Sequence, residues 1–219
     1  MFFAFGSDSN CLDPKSKDDI AYALGEKRYI NTTYWHHSGG ERIDFAICGI
    51  MATTTPGSST YAYKTFTDIK SDFLTDSEID AIETKHGNYY VGGAGRGITM
   101  PGKVCEGEWI DIIEGVIRFR SELQILFYNL FIGSQKIPYT EAGLAVLETV
   151  LRSQLDEEQR NNFIDRYKVE FPRFDLIPSD DKMKRTVKGI KFEANPTGAI
   201  HAVVISGTVL YDTIQTSER

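Results

Sequence analysis

The chain has 219 residues, with 31 acidic against 24 basic side chains and a net charge of −7 at neutral pH. That balance argues against binding along a phosphate backbone, which needs a basic stripe, so no nucleic-acid partner is expected. The longest apolar stretch, residues 123–133, falls well short of the roughly 20 residues of a bilayer span, so no membrane span is expected. The opening MFFAFGSDSN has no basic start and reads as a strand, not a signal peptide. Cys11, Cys48 and Cys105 have no zinc or redox spacing and fit mostly buried thiols in a reducing compartment.

In chain order, the apolar run 2–8 predicts a strand. Asp13-Pro14 predicts a helix start, with proline at the first helical position, where its missing N–H is not needed. Ile20 and Leu24 share one face of that helix, and Gly25 stands where a left-handed cap belongs. Residues 28–37, RYINTTYWHH, are β-branched and aromatic and predict a second strand. Ile43, Ile47, Ile50 and Met51 then recur at helical spacing, and TTTPGSST at 53–60 ends that helix in a loop. Strand, helix, strand, helix opens an α/β layer structure.

Residues 59–66, STYAYKTF, predict another strand. Thr75-x-x-Glu78 is a capping box, flanked by Leu74 and Ile79 at staple positions. NYYVGGAGRG at 88–97 reads as a strand and a flexible turn. A long helix is predicted from about 109 to 131, with Ile110, Ile113 and Ile117 on one stripe. Thr140 is the expected N-cap of the next helix, with Tyr139 and Leu144 at staple spacing. Leu144, Leu147, Leu151 and Leu155 form its apolar stripe. Residues 185–194 and 199–211 predict two strands joined by Asn195-Pro196-Thr197-Gly198. The fold class is therefore α/β, a mixed sheet packed with helices.

One segment tests for chemistry. GITMPGKV, residues 97–104, is one residue short of the phosphate-binding G-x-x-x-x-G-K-[ST] loop. Val104 replaces the Mg²⁺-binding hydroxyl, Pro101 removes a backbone donor, and Gly107 interrupts any helix before Trp109. The segment instead predicts a hairpin: Ile98-Thr99-Met100, a turn at Pro101-Gly102, then Lys103-Val104-Cys105. His36 and His37 would point to opposite faces of a strand and so cannot easily share one metal. No G-x-S-x-G elbow is present. No catalytic, cofactor-binding or metal-ligating set emerges, so the chain is expected to be a non-enzyme without a cofactor. The basic cluster DDKMKRTVKGIK at 180–191 reads either as an ion-paired contact surface or as a strand edge blunted by lysines.

The order of motifs after residue 59 carries more than any one of them. Tyr63-Lys64, Asn88-Tyr89, Gly107, Trp109-Ile110-Asp111, Lys136-Ile137-Pro138, Thr140-Glu141, Gly143 and Ala199-Ile200-His201 follow one another in sequence. This set resembles the C-terminal half of contractile phage tail sheath proteins. On that resemblance, residues 1–58 are a partial βαβα segment and residues 59–219 a sheath-type core domain. Sheath proteins are longer, so an N-terminal portion with a subunit-linking arm is expected to be missing.

The resemblance implies a structural subunit that polymerises around a tail tube and contracts to drive it through a host envelope. The work would come from bistable packing between subunits. The implied partners are further copies of the chain, the tail tube protein, and baseplate or tail terminator proteins. The implied place is the virion tail, assembled in the bacterial host cytoplasm. Ile200, Val203, Val204, Ile205 and Val209 would lie on a C-terminal strand, either donated to a neighbour's sheet or kept in the protein's own. Lys182, Lys184 and Arg185 are the expected charged contacts. The rival readings are a nucleotide-binding enzyme using residues 97–104 and a non-contracting tail assembly or cap protein.

Overall fold

A mixed four-stranded sheet carries the first half of the chain. The computed structural model describes residues 1–93 and 95–206. Strand β1 (Phe2–Gly6) leads through a 3-10 turn (Ser9–Leu12) to α1 (Ile20–Lys27), then β2 (Thr32–His36), α2 (Ile43–Thr53) and α3 (Asp76–Thr84). Strands β3 (Asn88–Gly93) and β4 (Arg96–Met100) complete the sheet. The order is β1-β2-β3-β4, parallel between the first three and antiparallel between β3 and β4. Residues 1–58 thus contribute two strands and residues 59–219 the other two.

Strand periodicity puts alternate side chains on opposite faces. Phe3, Phe5, Trp35 and Tyr90 face Ile43 and Ile47 of α2 and Ile110 and Ile113 of the following long helix. Ala4, Tyr34 and Tyr89 face Cys11, Ala21 and Ile82 on the other side. The result is helices on both faces of one sheet, as parallel pairing requires. Among the described residues, the Nδ1 atoms of His36, His37 and His86 are buried without a partner, but the other buried polar side chains here are paired. The Trp35 indole donates to Thr33 Oγ1 at 3.1 Å. The Lys85 ammonium, almost wholly buried, donates to the carbonyls of Asn10, Cys11 and Asp13 and to Asp19 Oδ2 at 2.7 Å.

The second half is built around α4 (Ile110–Gly133), α5 (Glu141–Arg160), the antiparallel pair β5 (Ile164–Glu170) and β6 (Lys191–Pro196), and the short α6 (Ser179–Met183). Its core joins Phe119 of α4, Leu151 and Leu155 of α5, and Phe163 and Ile164 at the start of β5. α4 belongs to both halves. Where it passes from one to the other, a side chain on Gly115 would have its Cβ 2.0 Å from the Phe163 ring, so only glycine fits. One turn on, Arg118 donates to both oxygens of the buried Glu158, at 2.8 and 2.6 Å, and to the Pro56 carbonyl at 2.9 Å. Burial alone would raise the Glu158 carboxyl, but Arg118 outweighs it and holds it below the usual carboxylate range.

Several local expectations are met in detail. Thr75 and Glu78 form a reciprocal capping box, and Leu74 and Ile79 pack against the same core. Thr140 accepts from Gly143 N, and Leu144, Leu147, Leu151 and Leu155 are buried.

Others are corrected. The first helix starts at Ile20 under Asp19, whose carboxylate accepts from Tyr22 N at 2.8 Å. Asp13 instead closes a turn on Lys15 N, and Arg28, not Gly25, adopts the left-handed cap. Residues 59–66 form no strand, because Tyr63 turns to φ 60°. They still cover the β4 edge, through Tyr63 N to Thr99 O and Thr99 N to Lys64 O. The hairpin joins β3 to β4, with Val91 opposite Ile98, so Lys103-Val104-Cys105 is not its second arm. The late strand is shorter than expected, Lys191–Pro196, and pairs with β5.

Candidate assembly surface

The near-phosphate loop is a structural turn. Its backbone donors are already taken: Gly102 N and Lys103 N both donate to Asn88 Oδ1, at 2.8 and 2.6 Å. Val104 N donates to Glu108 O and Cys105 N to Thr32 O. Asn88 Nδ2 closes the circuit on the Tyr34 and Lys103 carbonyls, so all four of its bonding sites used here lie inside the fold. Lys103 lies over the Trp109 ring, 5.1 Å from its centroid. A phosphate cradle needs those N–H groups free and converging. His36 and His37 go to separate partners, Ser38 Oγ at 3.2 Å and Lys70 O at 2.7 Å.

Two carboxylates sit one turn apart on α4. Glu114 Oε2 accepts from the Tyr61 hydroxyl at 2.6 Å inside the core. Burial raises both the Glu114 and the Asp111 carboxyl above their ordinary values. Glu114 faces a buried tyrosine, not a cleft, so it ties the 59–66 segment to α4.

The unusual surface lies in the second half. Ile117, Ile125, Tyr128 and Ile132 form an exposed stripe along α4, with Phe131 beside it. Next to that stripe a cleft of about 930 Å³ opens between α4, α5 and residues 182–192. Leu123, Phe127, Leu147 and Phe192 line it, with Lys182 and Arg185 at its rim. A second, smaller cleft of about 470 Å³ runs between α4 and the β5–β6 pair, lined by Phe119, Leu123, Phe163 and Ala194. Apolar surface that is both exposed and contiguous marks an interaction site.

Of the expected contact residues, Ile200, Val203, Val204 and Ile205 are 75–94% exposed and belong to no strand. Val209 lies outside the described residues. Lys182 stacks over the Phe174 ring at 4.2 Å, while Lys184 and Arg185 are exposed just after α6. The basic cluster is therefore not a strand edge, except for Lys191 in β6. Sequence reasoning missed the clefts. Leu123, Phe127 and Phe131 look like ordinary core positions of an amphipathic helix, and only the absence of a covering layer among the described residues reveals them. No helix is long and apolar enough to cross a membrane among the described residues.

The sequence matches no known protein-family profile and no curated protein. Its fold is similar to a chain in the six-fold symmetrised cryo-EM structure of the anti-feeding prophage (AFP) baseplate. The TM-score is 0.67 at 10% identity, covering 94% of this chain and 59% of that one. The chain thus spans less than two thirds of that baseplate chain's length. At this identity the likeness is one of fold: an α/β architecture of mixed sheet and helices.

Proposed function

We propose that the chain is a structural subunit of a contractile phage tail or related injection machine, in the sheath, where it packs against copies of itself around a tail tube. The observation that carries this reading is that Ile200, Val203, Val204 and Ile205 are exposed on their own subunit while apolar clefts stand open on the same molecule. Complementary unsatisfied surfaces on identical chains favour head-to-tail association, which closes into rings or runs on as helices. Ile200, Val203, Val204 and Ile205 would supply the donated surface, continued by Val209. Lys182, Lys184 and Arg185 would meet carboxylates of the neighbour. Such exposed pairs are individually weak and so reposition readily during a collective shift. The tail tube and the baseplate or terminator proteins would be the other partners, in a particle assembled in the bacterial cytoplasm.

The fold likeness to a baseplate chain supports a second reading, a non-contracting assembly protein at the tail end. Electron microscopy of the purified chain with tail tubes separates the two. Tubes clad along their length, or stacked rings, support the sheath. Decoration confined to tube ends supports the second reading, and no decoration rejects both.

A further inference from the structure

Residues 198–206 are exposed with one exception, His201. Here the apolar side chains point outward and the single imidazole points in, the reverse of normal burial. His201 Nε2 lies 2.8 Å from Thr60 Oγ1. Its ring meets Trp109 edge-on at 4.7 Å and Tyr63 at 6.0 Å. The Tyr63 hydroxyl donates to the His201 carbonyl. Tyr63 makes that contact from φ 60°, a conformation bulky residues rarely hold. All three partners belong to the sheet half. Four residues earlier, Thr197 is tied to the other half, through its N–H to Phe163 O at 2.9 Å and its hydroxyl to Asn162 O. The segment is therefore led from the end of β6 across to the sheet half and fixed at both ends of that crossing.

We propose that His201 is a positioning residue whose clasp on Thr60, Tyr63 and Trp109 keeps the apolar residues 202–205 out of their own subunit's clefts, so that they remain available to a neighbouring copy. The proposal rests on the reading that the segment is handed to a neighbour. Its physical reason is competition. Pro196 borders the smaller cleft, and eight extended residues reach about 26 Å, so an unclasped segment can fold back. A short tether gives it an effective concentration on the order of millimolar, well above that of a second subunit. Self-occupation would then win, and the clasp prevents it.

The test compares wild type with His201→Ala and the hydrogen-bonding His201→Gln. Trp35 is fully buried, so collisional quenching of tryptophan emission reports Trp109. His201→Ala should make Trp109 more accessible to acrylamide and speed amide exchange across 199–206, with the global unfolding midpoint unchanged. In the monomer it should also lose emission of the dye ANS, because the released segment covers the clefts. His201→Gln should recover part of each signal. Unchanged Trp109 quenching in His201→Ala overturns the clasp. A released segment with undiminished ANS emission overturns its positioning role. Both readouts belong to the monomer, so failure of wild type to clad tubes would reject the sheath reading without touching the clasp result.

Discussion

The two halves of this molecule bury their apolar side chains to very different degrees. In the sheet half, Trp35, Tyr34, Tyr61 and Tyr90 are essentially inaccessible, and the buried Lys85, Asn88 and Glu114 each meet a partner. In the other half, α4 leaves Ile125, Tyr128, Phe131 and Ile132 at 58–72% exposure beside an open cleft. The same amphipathic logic built both, so the difference lies in what covers the helices. The sheet half has a layer on each face. Among the described residues, the second half has a two-stranded sheet, which covers only part of α4 and α5. A half that is complete alone tolerates surface change but not core change; a half awaiting a cover should do the reverse for assembly.

The largest effect expected from that contrast is in the sheet half. Lys85→Met would leave Asp19 and three carbonyls buried without their cation. Breaking a buried pair from one side costs about 3–5 kcal/mol, readable as a fall in the urea midpoint. If Lys85→Met unfolds like wild type, the sheet half is not the closed unit described.

Next comes the joint. Glu158→Gln keeps the shape but removes the charge that Arg118 grips. A loss of about 1–3 kcal/mol is expected, with the second half melting ahead of the first in far-UV and near-UV traces. A single coincident transition of reduced midpoint would argue that the joint does not hold the halves together.

A smaller effect depends on pH. The folded Glu114 carboxyl titrates above its unfolded value of about 4.5. The native state therefore holds the proton where the unfolded state has lost it, so Glu114 costs stability as pH rises from about 4.5 through its folded value. Glu114→Gln keeps an acceptor for Tyr61 and should flatten that slope, matching or exceeding wild-type stability at pH 7. A variant with the same pH slope as wild type would contradict it.

The smallest change in stability belongs to the exposed stripe. Ile125→Ser with Ile132→Ser should move the unfolding free energy by no more than about 0.5 kcal/mol per site. The same variant should nonetheless lose tube decoration in electron microscopy. Retained decoration would remove the stripe from the assembly surface.

Much of the local architecture was legible because its signals are short-range. The Thr75–Glu78 box, the Thr140 cap and the leucine stripe of α5 each depend on residues within a few positions. Misreadings arose where two local signals competed. Asp13-Pro14 and Asp19 both suit a helix start, and Asp13 spent its carboxylate on a turn. Residues 59–66 have strand composition, yet the left-handed Tyr63 bends them to follow β4 by two bonds only. β5 does alternate, with Tyr167, Val169 and, just past its end, Phe171 turned to the core, but the alternation is short and the irregularity between Ile164 and Arg166 breaks its period at the start. The ordered Asn88, Gly107, Trp109 and His201 marks were visible as a pattern, but their roles are tertiary. Asn88 is a turn staple, and Trp109 and His201 meet across more than ninety residues.

The passage of α4 through both halves has a mechanical consequence. At 24 residues it is about 36 Å long and continuous, with no proline to interrupt it. In its first half Gly115 lies flush against Phe163, and Arg118 is gripped by a buried carboxylate. It therefore acts as a strut seated in a socket, without a hinge. A load applied at the open clefts is carried along the strut into the sheet as a rigid displacement, and compliance is left to the surface segments and to the contacts between molecules.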